Sequence, residues 1–202
     1  FAGEAVARGA VAVVGDAPAQ EVTGLGDAPY VRVTDAKRAL PWLAAAHAGF
    51  PSERLRVLGV TGTDGKTTTS FLLAHLLGAR HPTGLVSTAA VRLRSEELPL
   101  EGHFTTPEAT EVQALLARFL ASGATHAVLE SSSHGFSQRR LDAVAYAVGV
   151  VTNVSPEHLD HHGTFEAYVD AKATLVRRAR AAVLNADDQG FAAFAAAARS
   201  AG

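Results

Sequence analysis

Apolar residues fall into two rhythms along this chain. Residues 55–60, 126–130 and 145–151 are short, near-continuous apolar runs, the pattern of strands buried on both faces. Over residues 67–77, 107–122 and 164–179 the apolar positions instead recur every three or four residues, which predicts helices with one buried side. Further strands are expected at 10–14, 30–33, 84–88, 91–93 and 182–185, and helices at 5–9, 37–47 and 189–199. Residues 16–19 read as a turn, Thr34 or Asp35 as the cap of the 37–47 helix, and Pro41 as a break in it or part of its first turn. The stretch 49–52, Gly-Phe-Pro-Ser, is the best linker candidate. Strands alternating with helices predict an α/β fold, a three-layer, mostly parallel sheet. It is preceded by a small α/β remnant, with domains at 1–50 and 51–202.

Composition narrows this picture. Of 202 residues, 48% are hydrophobic, enough for a sizeable core. Eighteen Lys and Arg against twenty Asp and Glu give a net charge of −2, with no basic footprint for nucleic acid. No apolar run is long enough to span a bilayer, and no signal-peptide pattern opens the chain. There is no cysteine, hence no disulfide framework or thiolate chemistry, which fits a cytoplasmic home. The chain opens on Phe1 and contains no methionine, so it is expected to be part of a longer protein.

The sharpest local signal is VTGTDGKTTT at residues 60–69. It follows an apolar strand and opens a helix, the setting of a phosphate loop. Gly62 and Gly65 let backbone N–H groups turn toward phosphate oxygens, and Thr63 and Asp64 lie between them. Lys66 supplies a point charge for the β- and γ-phosphates, Thr67 a hydroxyl for Mg²⁺, and Thr68 stands close enough to assist. Val60 occupies the place where the usual pattern has glycine, so Gly62 is expected to make the turn.

Other candidates carry weaker signals. Glu130 ends a strand at the sheet edge where α/β folds bind ligands. It reads as a Mg²⁺ ligand or as a helix cap. His158, His161 and His162 lie in a polar loop after the next strand, in a spacing that matches no common zinc pattern. One functional histidine among plain loop residues is the reading there. Lys172 on its helix is, by periodicity alone, an ordinary solvated lysine. Thr105, Thr106 and Pro107 read as a helix start, with threonine as cap and proline in the first turn. Arg139 and Arg140 read as a surface pair.

Taken together, these motifs resemble the Mur ligase superfamily, the amide-forming ligases of peptidoglycan synthesis. TGTDGKTTT resembles its ATP loop, with Asp64 where most members have Asn. ESSSH at 130–134 and TNVSPEHLDHHG at 152–163 are similar to segments of the tripeptide-forming, MurE-type branch, with Glu157 for Asp and His161 for Tyr. The resemblance implies ATP and two Mg²⁺ ions as cofactors, with Asn153 at the nucleotide. It implies Thr67 and Glu130 on one metal, and His158 and a carbamylated Lys172 on the other. It places Thr105, Thr106, Ser132, Gln138 and Arg140 on UDP-MurNAc-L-Ala-D-Glu, with Arg139 the rival for the last position. Lys66, His158 and Lys172 would be the catalytic set. The implied reaction joins a diamino acid to that dipeptide through an acyl phosphate, in a protein acting as a monomer. Another Mur ligase, a folylpolyglutamate synthetase relative and a non-catalytic ATP-binding module are the alternatives. The family's C-terminal domain has no counterpart here, so the chain by itself is expected to be inactive.

Overall fold

A computed structural model of the chain describes residues 1–94, 96–98 and 105–200. Two sheets are present. The first is a two-stranded parallel ribbon of β1 (Val13–Gly15) and β2 (Tyr30–Arg32), with α1 (Ala2–Ala7) before it and α2 (Ala36–His47) after it. Asp35 caps α2, its carboxylate accepting from the Arg38 N–H at 2.9 Å.

The second sheet is the main one. Its strands are β3 (Arg56–Thr61), β4 (Thr83–Val86), β5 (Val91–Leu93), β6 (Glu96–Leu98), β7 (His126–Glu130), β8 (Tyr146–Val151) and β9 (Ala179–Leu184). Their order is β6-β5-β4-β7-β3-β8-β9. From β4 to β9 every neighbouring pair is parallel, and only the β4-β5-β6 edge is antiparallel. The helices are α3 (Pro51–Arg54), α4 (Lys66–Gly78), α5 (Ala109–Ala121), α6 (Ser133–Ser137), α7 (Leu159–His162), α8 (Phe165–Arg178) and α9 (Phe191–Arg199).

Alternation along the central strands separates the layers, because successive side chains leave a strand on opposite faces. Val57 of β3 and Ala127 and Leu129 of β7 join one core cluster with Val112, Leu116 and Phe119 of α5 and Leu175 of α8. Val60 and Val128 point the other way, where Phe71, Ala74 and Leu77 of α4 cover them. Helices therefore lie on both faces of the sheet, as the continuous apolar runs require. β3 runs through the middle, so the loop it feeds opens at the centre of the sheet's carboxyl edge. Among the described residues, no helix is long and apolar enough to cross a membrane.

Several expected boundaries move. α1 begins at Ala2 and stops before Gly9, whose positive φ of 98° ends the turn, and the strand after it starts only at Val13. Residues 51–54 are a short helix rather than an open linker, with Ser52 buried and its hydroxyl accepting from the Ala145 N–H at 3.1 Å. α5 starts at Ala109 with Glu108 as its N-cap, so neither threonine caps it and Pro107 lies before it. The Glu108 N–H donates to the Glu111 carboxylate at 2.9 Å, which fixes that start. β9 begins at Ala179, directly after α8. β6, α6 and α7 have no counterpart in the periodicity, because three to five residues are too few to show one.

Candidate functional site

The loop between β3 and α4 is held from behind. Thr152 Oγ1, just beyond β8, donates to the Asp64 carbonyl at 2.7 Å. The Asn153 side chain accepts from the Asp64 N–H at 2.9 Å and donates to the Asp64 carbonyl at 3.1 Å. The Asn153 carbonyl accepts from the Thr63 N–H at 3.0 Å. Asn153 thus clamps the loop, while Asp64 and Thr68 of the same motif stand exposed. Lys66 folds over the loop, its Nζ donating to the carbonyls of Gly62 at 3.1 Å and Thr63 at 2.7 Å.

The clamp explains Gly62. Its φ is 152°, and a Cβ there would overlap Thr152 Oγ1. Gly62→Ala is expected to destabilise the chain by roughly 1–3 kcal/mol, the cost of a non-glycine residue in such a conformation. Urea denaturation checks this, and an unchanged midpoint would contradict the clamp.

Glu130 ends β7 beside the loop and is 1% exposed. Both of its oxygens lie 3.1 Å from Thr67 Oγ1, on the first turn of α4. Thr88 completes the set, its N–H donating at 3.0 Å and its hydroxyl at 3.1 Å. Every one of these donors is neutral, and no ion pair among the described residues includes Glu130. A buried carboxylate without a cation, next to a P-loop hydroxyl, is a hard-oxygen donor set that suits Mg²⁺. No group of three or more His, Cys, Asp or Glu is gathered for a metal among the described residues. Mg²⁺ at nucleotide sites completes its octahedron with phosphate and water, so it needs no such cage.

Lys172 is not a solvated lysine. It is 2% exposed, and its Nζ donates to the Gly62 carbonyl at 2.6 Å. Burial, and after it the charge of Lys66, lowers its pKa to about 7. Its helix face turns inward because Tyr168, Lys172, Leu175 and Val176 share the buried side of α8.

His158 sits in the left-handed region, with φ 53°, and its Nε2 lies 3.6 Å from the Glu157 carboxylate. Its ring meets His134 edge-on at 4.6 Å, and His134 stacks on His161 at 4.2 Å. Burial, then the like charge of neighbouring histidines, lowers the pKa values of His134 and His162, the latter to about 4. Both are therefore mainly neutral at pH 7.

A cavity of about 350 Å³ brings the two sides together: Lys66, His158 and Lys172 line it with Thr105, Thr106, Ser132, Gln138 and Arg140. Within it, Thr106 is committed to structure. Its hydroxyl donates to the Glu130 carbonyl at 3.1 Å, accepts from the Ser132 N–H at 3.0 Å and lies 2.9 Å from Ser132 Oγ. Ser132 caps α6 through the Gly135 N–H at 3.1 Å. Arg140 donates to the Thr106 carbonyl at 2.8 Å and pairs with Glu108 at 2.9 Å. Arg139 turns away with φ 62°, pairing with Asp142 at 3.2 Å and Asp35 at 3.7 Å. His103 and Phe104 lie outside the described residues.

Thr88, Thr152, Glu157 and Tyr168 were missed by sequence reasoning. For Tyr168 a signal existed: it lies four residues before Lys172 on one helix, hence on the same face.

A glycine loop ending in Gly65-Lys66-Thr67, at the centre of a parallel sheet, beside a buried strand-end carboxylate, defines a P-loop α/β nucleotide-binding protein. The chain belongs to the Mur ligase family: the family model described as Mur ligase middle domain matches residues 60–202. A UDP-N-acetylmuramyl-tripeptide synthetase of Deinococcus radiodurans is 51% identical over 190 residues, covering 93% of this chain and 38% of that protein. A UDP-N-acetylmuramoyl-L-alanyl-D-glutamate–2,6-diaminopimelate ligase of Gloeobacter violaceus is 41% identical, covering 92% and 38%. A solved structure of a ligase with the same name superposes with a TM-score of 0.81 at 34% identity, over 99% of this chain and 40% of that one. The chain thus spans about 38% of the length of these curated relatives.

Proposed function

We propose that this chain carries the nucleotide and acyl-donor side of an ATP-dependent amide-forming ligase of peptidoglycan precursor synthesis. The D-glutamyl side-chain carboxylate of UDP-MurNAc-L-Ala-D-Glu takes the γ-phosphoryl group of ATP, releasing ADP and forming an acyl phosphate. The amine of a diamino acid then attacks the acyl carbon, a C–N bond forms, and phosphate leaves. The carrying observation is the shared cavity, where Lys66 of the glycine loop faces Ser132 and Arg140.

Each residue has a distinct task in this reading. The N–H groups of residues 62–68 and the start of α4 hold the nucleotide phosphates, with Asn153 fixing the loop. Lys66 swings from its carbonyl contacts onto the β- and γ-phosphates. Thr67 and Glu130 would hold one Mg²⁺, and His158 and Lys172, as its carbamate, the second. Bound there, Mg²⁺ offsets the charge of the transferring group. Arg140 exchanges Glu108 for an anionic group of the substrate, with Thr105, Thr106, Ser132 and Gln138 shaping the rest of that subsite. Residues 1–50 form the end of a preceding domain, and residues 51–202 the first part of the ATP-binding one.

Calorimetric titration of this chain with UDP-MurNAc-L-Ala-D-Glu in the presence of Mg²⁺ tests the substrate. Saturable binding that weakens about tenfold or more in Arg140→Ala is the expected result, the loss of a charge-assisted contact. Absence of binding, with ATP still bound, would remove this substrate from the reading.

A further inference from the structure

Tyr168 is fully buried on α8, one turn before Lys172. Three separate parts of the candidate site meet on it. Its hydroxyl lies 3.0 Å from Thr63 Oγ1 in the glycine loop. The same hydroxyl donates to Glu157 Oε2 at 3.3 Å. Its ring carries the Lys172 amine, with Nζ 4.4 Å from the centroid.

Protonation gives the contacts a direction. A carboxylate only accepts, so the Tyr168 hydroxyl gives its hydrogen bond to Glu157. Thr63 Oγ1 then shares its proton between the Tyr168 oxygen at 3.0 Å and the Ser155 carbonyl at 3.2 Å, and accepts from the Ser155 N–H at 2.9 Å. The chain Ser155–Thr63–Tyr168–Glu157 is continuous, and it joins the glycine loop to the segment after β8 at both ends. Lys172 ties in from the side through the Gly62 carbonyl.

We propose that Tyr168 is a positioning residue that locks the glycine loop to the Glu157–His158 segment through its hydroxyl and aims the Lys172 amine into the cavity through its ring. Glu157 is part of the device. Its carboxylate is the acceptor for the tyrosine hydroxyl, at 3.3 Å. A buried hydroxyl bonded on two sides holds one geometry, because the hydroxyl itself would be left unsatisfied if it moved off its partners.

The two halves of the side chain are separable by mutation. Tyr168→Phe removes the hydroxyl and keeps the ring; Tyr168→Leu removes both. In nucleotide-free chain, Tyr168→Phe is expected to speed amide exchange at Asp64 and Ser155 about tenfold, read residue by residue by NMR, the loss of one hydrogen-bonded link. It is expected to weaken Mg²⁺·ATP binding by roughly five- to thirtyfold, for the same reason. Thr63→Val should give a similar loss, and the double variant less than the sum of the two, since the Thr63–Tyr168 link is broken by both. Glu157→Ala, at an exposed carboxylate that leaves the core intact, should speed the same two amides. With ¹³C-enriched CO₂, the carbamate carbon signal of Lys172 should persist in Tyr168→Phe and vanish in Tyr168→Leu.

Wild-type exchange and affinity in Tyr168→Phe, or additive losses in the double variant, would overturn the proposal. The affinity readout rests on the function proposed above, whereas the exchange readout does not. If the wild-type chain fails to bind Mg²⁺·ATP, the nucleotide reading falls, and the exchange rates alone decide for or against the lock.

Discussion

Lys66→Ala is expected to reduce acyl-phosphate formation by about 10²–10³-fold in the full-length ligase, the usual effect of removing one electrostatic contact to a developing charge. The physical case starts from what Lys66 does now. Its ammonium bridges the carbonyls of Gly62 and Thr63, so it sits directly over the loop where phosphates would lie. Those carbonyls are weak partners next to a triphosphate, and the exchange favours the nucleotide. Without the lysine, the N–H groups of the loop and the helix start remain. The Lys66→Ala chain should therefore keep residual ATP affinity, while the full-length variant loses most of the rate. Single-turnover transfer from γ-³²P-labelled ATP separates the two effects. A variant with near-normal transfer would show that Lys66 serves the loop's fold and not the phosphate.

Lys172 carries the second large effect. We expect it to react with CO₂: the neutral amine attacks the carbon, an N–C bond forms, and one proton leaves to water. The product keeps one N–H, so the bond to the Gly62 carbonyl survives while the anionic carbamate oxygens reach the cavity. A pKa of about 7 leaves about half the population as free amine at neutral pH, where an exposed lysine would have almost none. The adduct should therefore grow as pH rises from about 6 to about 8, through that pKa, which ¹³C NMR with labelled bicarbonate measures. No adduct at the alkaline end would remove the carbamate from the site.

The same burial has a stability consequence. Between pH 7 and 10.5 the unfolded chain binds a proton at Lys172 that the folded chain does not, so stability rises with pH across that window. Below it the full penalty of the buried ammonium is present. In CO₂-free buffer at about pH 6, Lys172→Met should melt several degrees higher than the wild type, with the Gly62 carbonyl still bonded to Lys66. In the full-length ligase the same variant should lose activity by at least about a hundredfold, a trade of function for stability. A lower melting temperature in that buffer would show that the amine contributes more through its hydrogen bond than burial costs.

What could be read from residues alone is what the chain states locally. Continuous apolar runs gave buried parallel strands, and the 60–69 segment gave a glycine loop, because both patterns lie within ten consecutive residues. Glu130 was legible from its place at a strand end. Lys172 was not legible from periodicity. A lysine on a helix reads as solvated until the helix is docked, and only the packing of α8 against β8 and β9 buries its amine under the loop. The choice between Arg139 and Arg140 was likewise open, since adjacent residues share every sequence signal. The left-handed backbone at Arg139 separates them, sending its guanidinium to Asp142 and leaving that of Arg140 in the cavity. Thr152 meets Asp64 across 88 residues of chain, and Tyr168 meets Thr63 across 105, so no local pattern could announce either contact.

Neighbouring residues alone therefore specify the strands, the glycine loop and the chemical types gathered for the site, because periodicity and loop chemistry are local properties. Docking of the elements settles which hydroxyls hold the loop, which arginine faces the cavity and which lysine loses its water. Burial and hydrogen bonding arise from contacts between segments far apart in the chain, and the cost of burying a charge or a polar group depends on what those contacts supply.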